Sequence, residues 1–321
     1  MPETARENRY GSSLGAVRVV RLGPGAEEAF IAGGGRVLSV FERCLYLIAE
    51  SGAIACLGAL ELGDGPLQIS LGGPDPNPWS PAGLKVNDTW RIAGATLSLS
   101  DCQRFDLSTA RPWCPLPPSF IDTEALGDSL SRLSRLTPNK LPDIGLGYLV
   151  PILAAIAGGG EARLCALSRL HGRQRSEPVA RTAEPLIGGL FQTSGVDESR
   201  LPEVALGLLG LGPGLTPSGD DFVGGLLIAL RHLGSEALAE RIGRQILPEC
   251  TGLTNLISAA YLRWAARGIG GSALHGTLEA LCRVERGAQD ANLSALSAVG
   301  HSSGWDALAG AVLGCAIWTI R

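Results

Sequence analysis

Charge is scarce in this sequence, and what there is leans acidic. Charged residues make up 18% of the 321 positions and the formal net charge is −4, with no basic stripe interleaved with aromatics. That excludes a nucleic-acid surface of the usual kind, which needs clustered Lys and Arg. No two cysteines are spaced Cys-x-x-Cys. The eight (Cys44, Cys56, Cys102, Cys114, Cys165, Cys250, Cys282, Cys315) are scattered, mostly in apolar segments. They predict reduced, buried thiols rather than a disulfide frame or a zinc site. Four histidines, none beside a cysteine cluster, assign no transition metal. A long apolar run is also missing: Ile144–Gly160 is free of charge but contains Pro151 and five glycines, too short and broken for a membrane span. The opening "MPETARENRYGSS" has no apolar h-region, so neither a signal peptide nor a membrane is expected, and the expected compartment is the cytoplasm.

Apolar residues, by contrast, make up 45% of the chain, enough for a large core, and the length suits two domains. The first third reads as β. "AVRVVRLG", "RVLSVFERCLYLIA", "AIACLGALEL", "LQISLG" and "TLSLS" are short β-branched or apolar runs, separated by "LGDGP" and "GGPDPNPWSPAG". "RPWCPLPPSF" forbids helix and central strand alike and marks a boundary. Beyond it the spacing becomes helical: Leu126, Leu130, Leu133 and Leu136 recur at three or four residues, and further amphipathic runs follow. "LTPNKLPDIG" and "SEPVARTAEPLIGG" are expected as loops. Strands and helices do not alternate, so the expected class is α+β: an antiparallel β sandwich or barrel over residues 1–118, then a mainly α-helical domain over 119–321.

Two segments stand out. Ser218-Gly-Asp-Asp-Phe-Val-Gly-Gly-Leu-Leu and Ser303-Gly-Trp-Asp-Ala-Leu-Ala-Gly-Ala-Val share one pattern, each following a polar glycine-containing loop and opening a charge-free run. Helices apolar nearly all round belong in the centre of a core. Ser218 with Asp221, and Ser303 with Asp306, fit a capping box with Asp in place of Glu. Acids in a first turn also suit the helix dipole. Gly225 and Gly310 would admit a close helix neighbour.

Capping leaves Asp220 over, together with Gly210, Gly212, Gly214, Thr216 and Pro217. A loop of alternating glycines running into Ser218 and Gly219 offers backbone N–H groups to a ligand. It has neither a Walker ending nor a preceding strand. Two carboxylates repel a bare phosphate, so the set suits a ligand with N–H donors at one end and an anionic group at the other. A Mg²⁺ ion bridging Asp220 to a phosphate is the alternative; no other cofactor is expected. In the second segment His301, in a polar loop beside Ser302, Ser303 and Gly304, is the histidine best placed for acid–base work. A structural role stays open for it. His232 sits at a helix end, His171 in a basic loop and His275 in a helix without an evident partner. Thr251, Thr254, Asn255 and Ser258 recur at helical spacing; they either back-bond to the helix or line a pocket with the two motifs. The candidate site is therefore Asp220 and His301 as catalytic groups. The candidate binding groups are Gly212, Gly214, Thr216, Ser218, Gly219, Asp221, Thr254, Ser258, Ser302, Ser303, Gly304 and Asp306.

"GLGPGLTPSGDDFVGG" and "GHSSGWDALAG" resemble the two signature segments of a bacterial family long known as a domain of unknown function, whose best-named member is the AllH subunit of oxamate carbamoyltransferase. "TNLISAAYLRWAARG" and "FDLSTARPWCP" resemble it more loosely. The resemblance implies a subunit of a heteromeric enzyme of allantoin-type purine nitrogen breakdown, acting with an FdrA-like subunit and a third subunit. The implied reaction is phosphorolysis of oxalurate to oxamate and carbamoyl phosphate, or its reverse. It brings no catalytic residues with it. Oxalurate and oxamate each pair a carboxylate with amide N–H groups, the mixed chemistry read above. Backbone N–H groups of Gly212–Ser218 and Ser303–Gly304 would stabilise the oxyanion. No basic cluster adjoins either motif, so the phosphate site is expected on a partner or on a distant arginine. The rival reading, from another class, is a non-catalytic binding or scaffold subunit. A stand-alone hydrolase using Ser302 is a third, without a nucleophile elbow to support it.

Overall fold

The structure, a computed structural model, describes residues 16–72, 83–100, 103–117, 121–136, 140–172, 177–192, 195–283 and 286–321. Its first part is a barrel. Strands β1 (Val17–Leu22), β2 (Gly34–Val40), β3 (Cys44–Ala49), β4 (Ile54–Ala59), β5 (Gln68–Gly72), β6 (Thr89–Ala93), β7 (Thr96–Leu99) and β8 (Gln103–Asp106) pair in the order β5-β4-β3-β2-β6-β7-β8-β1. Pairing of β1 with β5 closes the ring, which removes exposed edges. A short β9 (Arg111–Pro112) continues the β8 edge of β1. Most pairings are antiparallel as expected, but β4–β5, β1–β8 and β1–β9 are parallel. Between β4 and β5 the chain crosses over through a 3-10 turn at Leu60–Leu62 and left-handed Gly63 instead of a hairpin.

Period-two alternation fills the interior. Val19, Val37, Leu45, Leu47, Leu57, Ile69, Leu97, Leu99 and Phe105 have no exposed surface. A helix that the periodicity did not suggest, α1 (Pro24–Ile31), starts on a proline, whose fixed φ suits a first turn. It adds Ala26 and Ala29 to the barrel core, and Phe30 tilts against Trp90 at 6.0 Å.

β4 is buried on both faces. Ala55 and Leu57 join the barrel core, while Ile54 and Cys56 join Tyr46 and Leu67 against Ile257, Ala260 and Trp264 of α10 (Leu256–Ala265). That apolar seam joins barrel to helices. Two polar ties fasten it further. Arg263 pairs with Glu28 at 3.1 Å, and Ser272 N–H donates to the Asp64 carbonyl at 2.8 Å.

The remaining helices are α2 (Thr123–Leu133), α3 (Leu149–Ala157), α4 (Gly160–Gly172), α5 (Pro178–Gly188), α6 (Leu201–Leu208), α7 (Ser218–His232), α8 (Glu236–Ile246), α9 (Cys250–Leu253), α11 (Ser272–Leu281), α12 (Arg286–Ser297) and α13 (Ser303–Ile320). A small hairpin, Phe191–Gln192 with Gly195–Val196, interrupts them. As their compositions predict, α7 and α13 lie at the centre, packed on each other, with α3 also against α13. By length and composition α13 could cross a membrane, but 67% of it is buried within the fold; it is a core helix.

Several local expectations change. Residues 178–188, expected as a loop, are helical: Pro178 occupies the first turn, where its missing N–H is harmless, and Pro185 falls near the end. His171 lies within α4 rather than in a loop. Cys56, Cys250, Cys282 and Cys315 are buried thiols, whereas Cys114 and Cys165 are exposed, and Cys102 falls outside the described residues. His275 has a partner, the N–H of Gly270 at 3.0 Å. His232, at the end of α7, is buried near Glu279, and burial lowers its pKa.

Candidate functional site

The two glycine–aspartate motifs come together as a pair of crossed helices with local two-fold character. A Cβ at Gly225 would stand 1.9 Å from the Ala307 carbonyl oxygen, and one at Gly310 would stand 1.8 Å from that of Phe222. Ala307 holds the position in α13 that Phe222 holds in α7, so the contact is reciprocal. Only a hydrogen in place of a side chain permits it.

The correspondence reaches further back than the sequence pattern did. A Cβ at Gly219 would meet the Leu208 oxygen at 1.9 Å, and one at Gly304 the Leu296 oxygen at 2.0 Å. Gly219 N–H donates to Leu211 at 2.8 Å, and Gly304 N–H to Val299 at 3.2 Å. Left-handed Gly212 and Gly300 then pack on Ser218 and Ser303. Each unit is thus a short helix, a tight turn and a buried helix. They differ in the loop: Pro213–Pro217 in the first stands where His301 and Ser302 stand in the second.

Local capping is not what the acids do. Neither helix start carries a side-chain cap, and Ser218 and Ser303 are the first helical residues, preceded by Pro217 and Ser302. Instead the partners cross. The Ser303 hydroxyl lies beside Asp221, and the Ser218 hydroxyl beside Asp306, where Ser302 adds a second. Thr216 Oγ1 donates to Asp221 Oδ2 at 3.0 Å and sits 3.1 Å from Ser303 Oγ, joining the loops. Leu146 N–H donates to Asp306 Oδ1 at 2.5 Å. Burial raises both carboxyls: Asp221 well above its ordinary range, with Asp306 and Asp220 adding repulsion, and Asp306 to about 6 despite the hydrogen bond from Leu146.

Asp220 points elsewhere. It is buried, its Oδ1 takes the Gly210 N–H at 2.7 Å, and its Oδ2 takes the hydroxyls of Ser258, at 2.6 Å, and Thr254. Thr254 and Ser258 are not on one helix as expected: α9 ends at Leu253, Thr254 is extended, and Asn255 caps α10 by accepting from Ile257 and Ser258 N–H. Both still converge on Asp220. Among the described residues no hydrogen bond links Asp220 to His301, which lies exposed on the second loop.

The solvent-facing side of the crossing therefore gathers exposed Gly214 and His301 with half-buried Gly212, Thr216, Asp221, Ser302 and Ser303. Ser218, Gly219, Gly304 and Asp306 lie beneath. The N–H groups of Gly219 and Gly304 are already committed within the fold, which leaves fewer backbone donors for an anion than the motif suggested. Four residues escaped the sequence reading. Gly145, left-handed, abuts Asp306, and its N–H donates to Glu177 Oε1 at 3.0 Å. Burial raises the pKa of Tyr261 on α10, and the Asp221 charge adds to it. Its hydroxyl lies 3.4 Å from that of Tyr46 on the barrel. No local pattern marks these groups; only the packing of α10 and of the 140–148 segment brings them in. Among the described residues no three His, Cys, Asp or Glu side chains converge as a metal ion would require.

Fold and site together describe a barrel docked on a helical bundle whose two central helices begin at one polar, carboxyl-bearing surface. The family model described as oxamate carbamoyltransferase subunit AllH matches residues 208–315, from the end of α6 into α13. The matched stretch contains both loops and both crossed helix starts. No solved structure matches the chain.

Proposed function

We propose that this chain is a subunit of a heteromeric carbamoyltransferase of the oxamate type. It would work in the cytoplasm in allantoin-derived purine nitrogen breakdown, with an FdrA-like subunit and a third subunit as partners. The reaction is oxalurate plus phosphate to oxamate plus carbamoyl phosphate, or the reverse. The observation that carries this reading is the extent of the family match: it covers the two loops and helix starts that build the carboxyl-bearing surface. Thr216, Asp221, Ser302 and Ser303 supply donors and acceptors for a ligand that is amide at one end and carboxylate at the other. His301, exposed at the rim, relays protons. Asp220 holds the loop's shape through Gly210, Thr254 and Ser258, and so acts as a positioning residue. The phosphate is held by a partner subunit.

Two measurements test this. Oxamate or oxalurate should raise the melting temperature of the chain, since a ligand that binds the native state stabilises it. Carbamoyl phosphate and Mg²⁺ are the parallel arms. The chain reconstituted with its partner subunits should form carbamoyl phosphate from oxalurate, and His301→Ala should slow it. Absence of both the shift and the reaction would sink the proposal. The crossed hydroxyl–carboxyl contacts, all internal to the chain, favour a second reading as a scaffold subunit; no thermal shift with any ligand, together with intact complex assembly, would select it.

A further inference from the structure

Asp221 and Asp306 hold the same position in the two motifs, yet their surroundings differ. Asp306 has no exposed surface, and Gly145 covers it so closely that a Cβ there would stand 2.5 Å from Oδ1. Its Oδ2 is buried without a hydrogen-bond partner of ordinary geometry. Asp221 is half-buried at the open face, held by Thr216 and flanked by Ser303. Burial chiefly raises its pKa, with Asp306 from α13 and Asp220 from its own helix adding to that, while the hydroxyls of Ser303 and Thr216 pull the other way. Glu177 acts on Asp306 from the far side. A desolvated carboxyl set beside other carboxyls favours keeping a proton.

We infer that Asp221 is the general acid of the carbamoyl transfer, with Asp306 a positioning residue beneath it. This rests on the reaction proposed above. A phosphate oxygen of HPO₄²⁻ attacks the terminal ureido carbonyl carbon of oxalurate. The bond from that carbon to the oxalyl nitrogen breaks, and the nitrogen takes the Asp221 carboxyl proton, releasing oxamate. The phosphate's own proton restores the acid, and carbamoyl phosphate leaves as the dianion. Asp221 bears the proton that an amide leaving group needs, while Thr216 and Ser303 fix the direction of transfer.

The test uses the reconstituted complex. Asp221→Asn should lower kcat for oxalurate phosphorolysis by about 10²-fold or more. Wild-type kcat should fall as pH rises through the acid's titration. Asp306→Asn, by removing the neighbouring negative charge, should move that fall to lower pH, which a merely structural role would not do. A wild-type kcat in Asp221→Asn would overturn the inference. So would an unmoved pH limb in Asp306→Asn. An arm independent of the reaction uses the chain alone: its infrared difference spectrum against Asp221→Asn at pH 7 should contain the protonated-carboxyl stretch. If the wild-type complex is inactive and no ligand shifts the melt, the proposed function fails by itself. A missing carboxyl band overturns the inference whatever the complex does.

Discussion

Ser218, the first residue of α7, lies beside the carboxyl of Asp306 in α13, while the acid one turn along its own helix, Asp221, meets Ser303 instead. Each motif serves the other's acid, so the helix starts are energetically coupled. Ser218→Ala should cost about 1 kcal/mol in urea denaturation. In a double-mutant cycle with Asp306→Asn the losses should fall short of additive by roughly 0.5 kcal/mol or more, but in a cycle with Asp221→Asn they should add. Additivity in the first cycle would mean that the crossed contact contributes nothing.

The close crossing of α7 and α13 makes a sharp prediction for glycine. Gly225→Ala and Gly310→Ala each drive a methyl onto a backbone carbonyl, which a main chain cannot avoid by rotating a side chain. Each should destabilise by about 1–3 kcal/mol or more. Gly127→Ala in α2, where nothing lies within 4 Å of the added Cβ, should instead stabilise by about 0.5–1 kcal/mol. Thermal melts of the three variants settle the contrast.

Asp220 should behave as a structural anchor. Asp220→Ala strands the Gly210 N–H and the hydroxyls of Thr254 and Ser258, at about 1–3 kcal/mol for each buried group left without an acceptor. Asp220→Asn keeps one acceptor oxygen and should lose less. Equal losses in the two variants, read by denaturant midpoint, would contradict this picture.

Two groups desolvated by the fold should pull stability in opposite directions with pH. Asp306, at about 6 against 3.8 unfolded, keeps its proton in the folded chain after the unfolded chain has lost it. Its contribution is therefore full at low pH and falls as pH rises from about 4 to 6, by up to about 3 kcal/mol. His275, lowered by burial to about 4 from 6.5, has the reverse sign: its contribution is lost in acid and recovers as pH rises from 4 to 6.5. Subtracting the stability curve of Asp306→Asn from wild type should leave a falling difference over that window, and subtracting His275→Gln a rising one. A flat difference in either case refutes the corresponding assignment.

The sequence was most informative where a short pattern carries its own physics. Alternating Leu97 and Leu99 in β7, the leucines of α2 and the charge-free runs of α7 and α13 each announced an element and its buried face. Helix α1 was missed because a glycine–proline start reads equally as a turn, and α5 because its prolines look like breakers until one is seen to occupy the first turn. In the site, both loops and most of the groups between them were legible from the repeated Ser-Gly-x-Asp. Tyr46, Gly145, Glu177 and Tyr261 were not, since nothing local ties them to the motifs.

By itself the sequence determined that a β-rich part precedes a helical one, that two apolar helices with polar mouths lie at the centre, and that glycines let them touch. These follow from periodicity and from the missing Cβ. Only the tertiary structure decided which acid does what. Capping is a local interaction and predicts Ser218 with Asp221; the crossing of α7 and α13 replaces each local partner with one from the other helix. Asp220 turns inward because α9 breaks at Thr254 and α10 presents Ser258 to it. Asp306 is sealed because the loop at Gly145 lies over it, whereas Asp221 stays half-buried at the open face. Burial and neighbouring charge, the two quantities that set a carboxyl's chemistry, are properties of that packing and not of the motif.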